Sequence, residues 1–221
     1  MSNNILVFIE QRRGKVHPAS MQLLTLAQTL ASSTGGRAEA CLVGENVGGM
    51  VDALAAGGAV KVYSVEDPSL AMYRASTYTA ALCAAIDAAS PKAVLIPTTF
   101  LGRDLAARVA ARKKAALAID CTELRFEGAD LIAVKPMYAG KFSGSFRLTG
   151  GRLQVATVRS NAYSAAASKV GAKAEVQNVP FKLTDKDQRL RINEIVATGS
   201  GVKDVTEADT IVSGGRALKS A

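Results

Sequence analysis

The sequence predicts an open α/β sheet, mostly parallel and wound on both faces, and three observations predict it. Short continuous apolar runs such as "NILVFIE" and "KAVLIPTTF" read as strands covered on both sides. Segments with apolar residues at helical spacing alternate with them. Each crossover is long enough to bring the next strand back parallel to the last.

The elements follow in order. Residues 4–10 form the first buried strand, and "QRRGKVHPAS" is a polar loop with Pro18 at a helix start. In 21–33, Leu23, Leu26, Ala27, Leu30 and Ala31 recur at helical spacing until Gly35-Gly36 ends the helix. Residues 38–44 are a second strand, 50–58 a short helix closed by glycines, and 59–66 a third strand. A long helix over 73–89 stops before Pro91, a fourth strand spans 92–100, and a helix spans 102–117.

Beyond residue 118 the pattern shortens. "TELRFEGADLIAVKPMYAG", "KFSGSFRLTGGRLQVATVRS" and "AEVQNVPFKL" alternate apolar and polar residues between turn dipeptides, which reads as antiparallel strands, some extending the sheet edges and others forming a hairpin. Thr149-Gly150-Gly151 is a hairpin turn. "SAAASKVGAKA" (164–174) is a small-residue linker, and 190–198 is a further strand. Glycine, serine and charge over 199–209 mark a boundary, dividing the chain into an amino-terminal α/β domain, 1–204, and a segment 205–221 that begins something else. In that segment Thr210, Ile211 and Val212 read as a buried strand, Ser213-Gly214-Gly215 as a turn, and Arg216 onward as the first turn of a helix. Such a turn brings backbone N–H groups close to a ligand phosphate.

Composition narrows the function. An apolar fraction of 48% supports a full core, and aromatics at 5% with no Trp suit alanine-rich helices on a sheet better than a β-sandwich. The net charge of +8 invites nucleic acid, yet the cations are scattered and no zinc-finger or RRM-type motif occurs. The densest patch, Arg108 to Lys114, lies on one helix without aromatic partners and reads as a solvated or acid-docking face, not as a nucleic-acid site. Cys41, Cys83 and Cys121 lack metal-ligand spacing and read as buried free thiols of a reducing compartment. "MSNNILVFIE" lacks a signal-peptide pattern, and no stretch approaches the ~20 apolar residues needed to cross a bilayer.

No catalytic constellation emerges, and no metal site. His17 is the only histidine, so a triad or metal cluster would need groups from elsewhere. Asp67, Asp104 and Asp120 are candidate acids whose ordinary roles are caps and surface charges. In "PTTFLGRDLAARVA", Thr98, Thr99 and Arg103 sit where a strand's carboxyl end meets a helix, the place for a ligand in an open α/β sheet. The plainer reading puts Asp104 in the helix's first turn as a favourable charge and Arg103 beside a carboxylate. "GENVGG" (44–49) lacks dinucleotide-fingerprint spacing, and Tyr138 is a core or interface aromatic, core being the commoner fate.

Three segments together resemble the α subunit of electron transfer flavoprotein: "PTTFLGRDLAARVAA", "VKPMYAGKFSGSFRL" with "LQVATVRSNAY" ending at Arg159, and "IVSGGRALKS". The last resembles the entry to that family's FAD domain, where a Ser-Gly-Gly-Arg-Gly signature stands. Here Ala217 replaces its final glycine. The resemblance implies an adenine-nucleotide α-hydrolase-like sheet and a chain that carries only the start of its FAD lobe. FAD would be held mostly by a carboxy-terminal domain absent from this chain. Ser213, Gly214, Gly215 and Arg216 would be its FAD contacts here, with Arg216 near the pyrophosphate.

The same resemblance implies an electron carrier, not an enzyme. It would pair with a β subunit, accept electrons from acyl-CoA or other dehydrogenases and pass them to a quinone oxidoreductase. It would work in the bacterial cytoplasm, or the mitochondrial matrix in a eukaryote. Some relatives bifurcate electrons and hold a second FAD in the other subunit. Two rival readings use the same fold: a stand-alone adenine-nucleotide module of universal-stress type, and a scaffold without cofactor.

Overall fold

The computed structural model describes residues 2–12, 14–149, 152–194, 196, 205, 208 and 210–218. They fall into two units, 1–190 and 191–221.

In the first unit a seven-stranded sheet carries the core. Its strands are β1 (Ile5–Ile9), β4 (Ala38–Gly44), β5 (Lys61–Glu66), β6 (Ala93–Pro97), β7 (Ala116–Cys121), β11 (Gln154–Val158) and β12 (Glu175–Asn178), in the order β12-β5-β4-β1-β6-β11-β7. Every pairing in it is parallel. The period of two divides each strand between two apolar layers. Ile5, Val7 and Ile9 meet α1 (Pro18–Thr34) and α2 (Val51–Ala56), whereas Leu6 and Phe8 meet α3 (Ala75–Ala89) and α4 (Phe100–Lys113). Helices thus cover both faces, and the doubly wound α/β expectation holds.

Local chemistry sets the helix ends. Pro18 opens α1 after His17, whose Nδ1 accepts from the Ala19 N–H at 3.2 Å, so the only histidine is an N-cap. Gly35 closes the helix at φ 66°, a left-handed position that glycine adopts without strain. Between β1 and α1 the expected polar loop contains a small hairpin, β2 (Gln11–Arg12) against β3 (Lys15–Val16).

The antiparallel strands do not extend the main sheet. β8 (Glu123–Glu127), β9 (Asp130–Met137) and β10 (Phe142–Leu148) form a separate three-stranded antiparallel sheet, order β10-β9-β8. β11 is buried along its whole length between β6 and β7, and such a run needs apolar cover on both faces. The turn residues beside it suggested a hairpin instead. β12 does extend an edge of the main sheet, but parallel to β5 where an antiparallel strand was expected, and at that edge only Gln177 of its four residues is less than exposed. The hairpin turn expected at Gly150-Gly151 lies outside the described residues. The linker over 164–174 is irregular as expected.

Residues 190–194 and 196 form no strand, and the rest of the 190–198 strand expectation lies outside the described residues. The strand expected at Thr210–Val212 is also corrected: these residues are irregular and exposed, Val212 at 96%. β-branched residues favour a strand only where a neighbour can take up the backbone hydrogen bonds, and no strand pairs with them among the described residues. A single 3₁₀ turn follows at Arg216–Leu218, its Leu218 N–H donating to the Gly215 carbonyl at 3.0 Å.

Candidate functional site: the crevice at the strand carboxyl ends

The chain runs from β1 outward through β4 to β5, then returns through α3 to β6 on the other side of β1. That reversal places a topological switch point between β1 and β6, where open α/β sheets bind ligands.

Glu10 fills this place. It follows β1 directly, and its side chain is fully buried. The Thr99 hydroxyl donates to Glu10 Oε2 at 2.5 Å, and Arg12 Nη2 donates to Oε1 at 3.2 Å. The Glu10 N–H donates to Ser20 Oγ at 2.9 Å, which ties the residue to the first turn of α1. Thr99 is at the same time the N-cap of α4, accepting from the Gly102 N–H at 2.9 Å. A Cβ at position 102 would stand 1.9 Å from the Pro97 carbonyl oxygen, so only glycine lets α4 start so close to the end of β6. A carboxyl group of the chain itself therefore stands beside the helix N-terminus that would otherwise receive a ligand's phosphate.

The adjoining half of the crevice is an ion-pair cluster. Thr98 donates to Thr157 Oγ1 at 2.9 Å, and Thr157 Oγ1 also accepts from the Asp120 N–H at 2.9 Å. Asp120 takes both arms of Arg159, Nε at 3.0 Å and Nη2 at 2.7 Å, while Arg103 Nη2 lies 4.0 Å away. The Arg159 hydrogen bonds, with Arg103 and Lys135 nearby, hold the Asp120 carboxyl below the usual aspartate range.

The sequence candidates thus separate. Thr98, Thr99, Arg103 and Asp120 share this crevice, with Arg103 beside a carboxylate as the plainer reading expected. Asp67 lies elsewhere and caps a 3₁₀ turn by accepting from the Ser69 N–H at 2.8 Å. Asp104 is not in the first turn of α4, which opens at Phe100. It instead accepts from the Tyr73 hydroxyl at 2.7 Å and from Arg108 Nε at 3.0 Å. Burial works against its ionisation, yet these two donors bring the Asp104 carboxyl below the ordinary range. Tyr138 is not core: it is 75% exposed. Glu10 and Thr157 escaped the sequence reading, and the one trace of Glu10 was an acid ending an apolar run.

The basic stretch on α4 is largely paired. Arg108 meets Asp104, Arg112 meets Asp187 at 3.0 Å and Lys113 meets Asp87 at 2.5 Å. Asp187 is buried and also accepts from Thr184, which pins the segment after β12 to α4. At the opposite end of the sheet a shallow cavity of about 480 Å³ lies between the ends of α3 and α4, lined by Ile86, Asp87, Pro91, Lys113 and Leu153. All three cysteines are buried free thiols, and burial pushes the Cys121 thiol up to about 12. Among the described residues no group of His, Cys, Asp or Glu could hold a metal ion, and no helix is long and apolar enough to cross a membrane.

In the second unit Ser213, Gly214 and Gly215 are exposed. A Cβ at Gly215 would meet nothing within 4 Å, and one at Gly214 only the movable end of Leu218. A phosphate could therefore approach this backbone. The Arg216 side chain lies outside the described residues.

A parallel, doubly wound sheet with a small antiparallel sheet beside it, its switch point closed by an internal carboxyl group, defines an α/β protein of the open, doubly wound class. Residues 5–184 match the electron transfer flavoprotein domain family, and the chain belongs to that family. It is 35% identical over 218 residues to Protein FixB of Clostridium saccharobutylicum, a match covering 98% of this chain and 65% of that protein. It is 31% identical over 220 residues to the electron transfer flavoprotein subunit alpha of Clostridium acetobutylicum, covering 98% of this chain and 66% of that one. A third relative, lactate dehydrogenase (NAD(+),ferredoxin) subunit LctC of Acetobacterium woodii, is 30% identical over 216 residues, 97% of this chain and 51% of its own length. The chain thus spans just under two thirds of the first two relatives and about half of the third.

Proposed function

We propose that this chain serves as the amino-terminal platform of an electron transfer flavoprotein α subunit. It works with a β subunit to move electrons on FAD from acyl-CoA or other dehydrogenases to a quinone oxidoreductase or another redox acceptor. The observation that carries this reading is the family match over residues 5–184. The closed crevice supports it, because a platform needs rigidity at that point and no substrate.

The division of labour places the α/β domain in residues 1–204 and the entry to the flavin lobe in 205–221. Ser213, Gly214, Gly215 and Arg216 would contact FAD: two glycines admit a phosphate to the backbone, and a guanidinium forks onto its oxygens. FAD, when bound, supplies the one- and two-electron chemistry. The chain's own residues orient its pyrophosphate and support the partner subunit. The protein acts as an electron carrier in the cytoplasm, or in the mitochondrial matrix in a eukaryote.

The test is to purify the chain together with the β subunit of the same organism and to titrate FAD while following flavin fluorescence. Association with the β subunit, with weak FAD binding that weakens further on Arg216→Ala, is the expected result. A chain that ignores the β subunit and FAD but binds ATP tightly would replace this reading with the universal-stress-type one.

A further inference from the structure

The cavity of about 480 Å³ lies at the amino ends of β6, β11 and β7, opposite the end where an open sheet ordinarily binds ligands. Its volume falls within the roughly 300–1,000 Å³ of small-molecule sites. The floor is apolar, formed by Ile86 of α3, Pro91 and Leu153, all three buried. The Ala116 N–H donates to the Leu153 carbonyl at 2.9 Å, which sets residues 152–153 beside the exit of α4.

The rim carries more positive charge than its own acid answers. Lys113 reaches from α4 to Asp87 on α3 at 2.5 Å, and this pair neutralises itself. Lys114 and Arg152 remain on the rim, and neither has an ion-pair partner among the described residues. A cation at a helix C-terminus complements the dipole there, but Arg152 belongs to no helix. The helix caps are unusual in the same place. Gly35 ends α1 at φ 66°, whereas α3 and α4 end in the same left-handed conformation on Ser90 at 45° and Lys114 at 52°. Glycine is the common residue at such a cap, and any other side chain there carries strain. Both of these strained residues line the cavity.

We infer that this cavity binds a small organic phosphate monoester. Such a group carries close to two negative charges near neutrality, which matches the two cations left over on the rim. Arg152 can fork onto two phosphate oxygens, and Lys114 supplies a point charge beside it. A phosphate alone would leave most of the volume empty. The remainder takes the compact apolar body of the ester, an aromatic ring or a short alkyl chain, laid on Ile86, Pro91 and Leu153. A monocarboxylate of the same shape would leave one cation unanswered. The site lies wholly within the first unit and does not depend on the flavin reading, so either can fail without the other.

Phenyl phosphate, inorganic phosphate and benzoate are each titrated into the isotopically labelled chain at constant ionic strength while backbone amide shifts are followed. Wild type, Arg152→Ala, Arg152→Lys, Lys114→Gly and Lys141→Ala are compared, with a melting curve for each. Phenyl phosphate should give saturable shifts at the amides of Ile86, Ser90, Lys114 and Leu153, and should bind severalfold more tightly than the other two anions. Arg152→Ala and Lys114→Gly should each weaken it roughly tenfold, the loss of one charge-assisted contact. Arg152→Lys should recover part of that loss, and Lys141→Ala, in the turn between β9 and β10 and outside the cavity, should change nothing. Lys114→Gly also relieves a left-handed side chain, so its melting temperature should hold or rise, and misfolding cannot then explain its weaker binding. Inorganic phosphate bound as tightly as phenyl phosphate would mean an adventitious ion only, and benzoate bound as tightly would remove the match to a dianion. Either result overturns the inference. So does phenyl phosphate affinity that survives both Arg152→Ala and Lys114→Gly, or the lack of saturable binding at millimolar concentration.

Discussion

The Thr99 hydroxyl joins two elements that are far apart in sequence: it donates to the buried carboxyl of Glu10 at 2.5 Å and accepts from the Gly102 N–H at 2.9 Å. One oxygen thereby caps α4 and closes the crevice after β1.

Thr99 and Glu10 should therefore be energetically coupled. Thr99→Ala removes the cap, at a cost of about 1 kcal/mol, and also strips a donor from a buried acid. Glu10→Ala leaves Thr99 and Arg12 without their acceptor, at a cost of about 2 kcal/mol. The double variant should lose about 1 kcal/mol less than the sum of the two. Urea denaturation of all four proteins measures this, and strict additivity would show that the contact carries no energy.

Asp120 sets an acid limb on stability. Its folded pKa lies below the ordinary value, first because of the Arg159 hydrogen bonds, then through Arg103 and Lys135. A depressed carboxyl contributes stability that is present above its unfolded pKa, about 3.9, and lost as pH falls through the lower folded value. Asp120→Asn should cost about 1 kcal/mol near neutrality, because Arg159 is half exposed. The gap from wild type should close as pH drops below about 4. Melting curves at stepped pH decide it, and a gap independent of pH would contradict the ion pair.

Glu39 gives the opposite sign. It is only 4% exposed, and Asn4 donates to its Oε1 at 2.7 Å while Oε2 has no hydrogen-bond partner among the described residues. Burial raises its folded pKa, against the pull of Asn4, Lys61 and others. Stability is then lost as pH rises from the unfolded value of about 4.3 through the raised folded value. Glu39→Gln keeps an acceptor for Asn4 and removes the desolvated charge, so its melting temperature at pH 7 should exceed that of wild type. The advantage should vanish in acid. A lower melting temperature at pH 7 would mean that Asn4 and Lys61 stabilise the Glu39 anion by more than its burial costs.

The sheet's first half was legible because local and global demands agree. Residues 38–44 read as one strand and form one, since a fully buried run needs no context beyond its own apolarity. β11 was misassigned because its flanking turn residues resemble those of a hairpin, and which strands become its neighbours depends on long-range pairing. Thr210–Val212 differ for the converse reason: propensity is present, and among the described residues a strand partner is not.

The crevice was half legible. Thr98, Thr99, Arg103 and Asp120 were found because strand ends and helix starts leave local marks. Glu10 stands 89 residues from its hydrogen-bond donor Thr99, and no local pattern announces such a meeting.

By itself, the sequence determined the class of this protein: buried runs and helical spacing force a doubly wound sheet, and its motifs resemble one family. The tertiary structure alone decided that the switch point is closed from within, that Tyr138 faces outward, and that the second half of the chain supplies an inner parallel strand. Periodicity is a property of neighbours along the chain and survives without a fold. A hydrogen bond from Thr99 to Glu10, or a cavity between Ile86, Lys114 and Leu153, exists only once distant segments have been brought together.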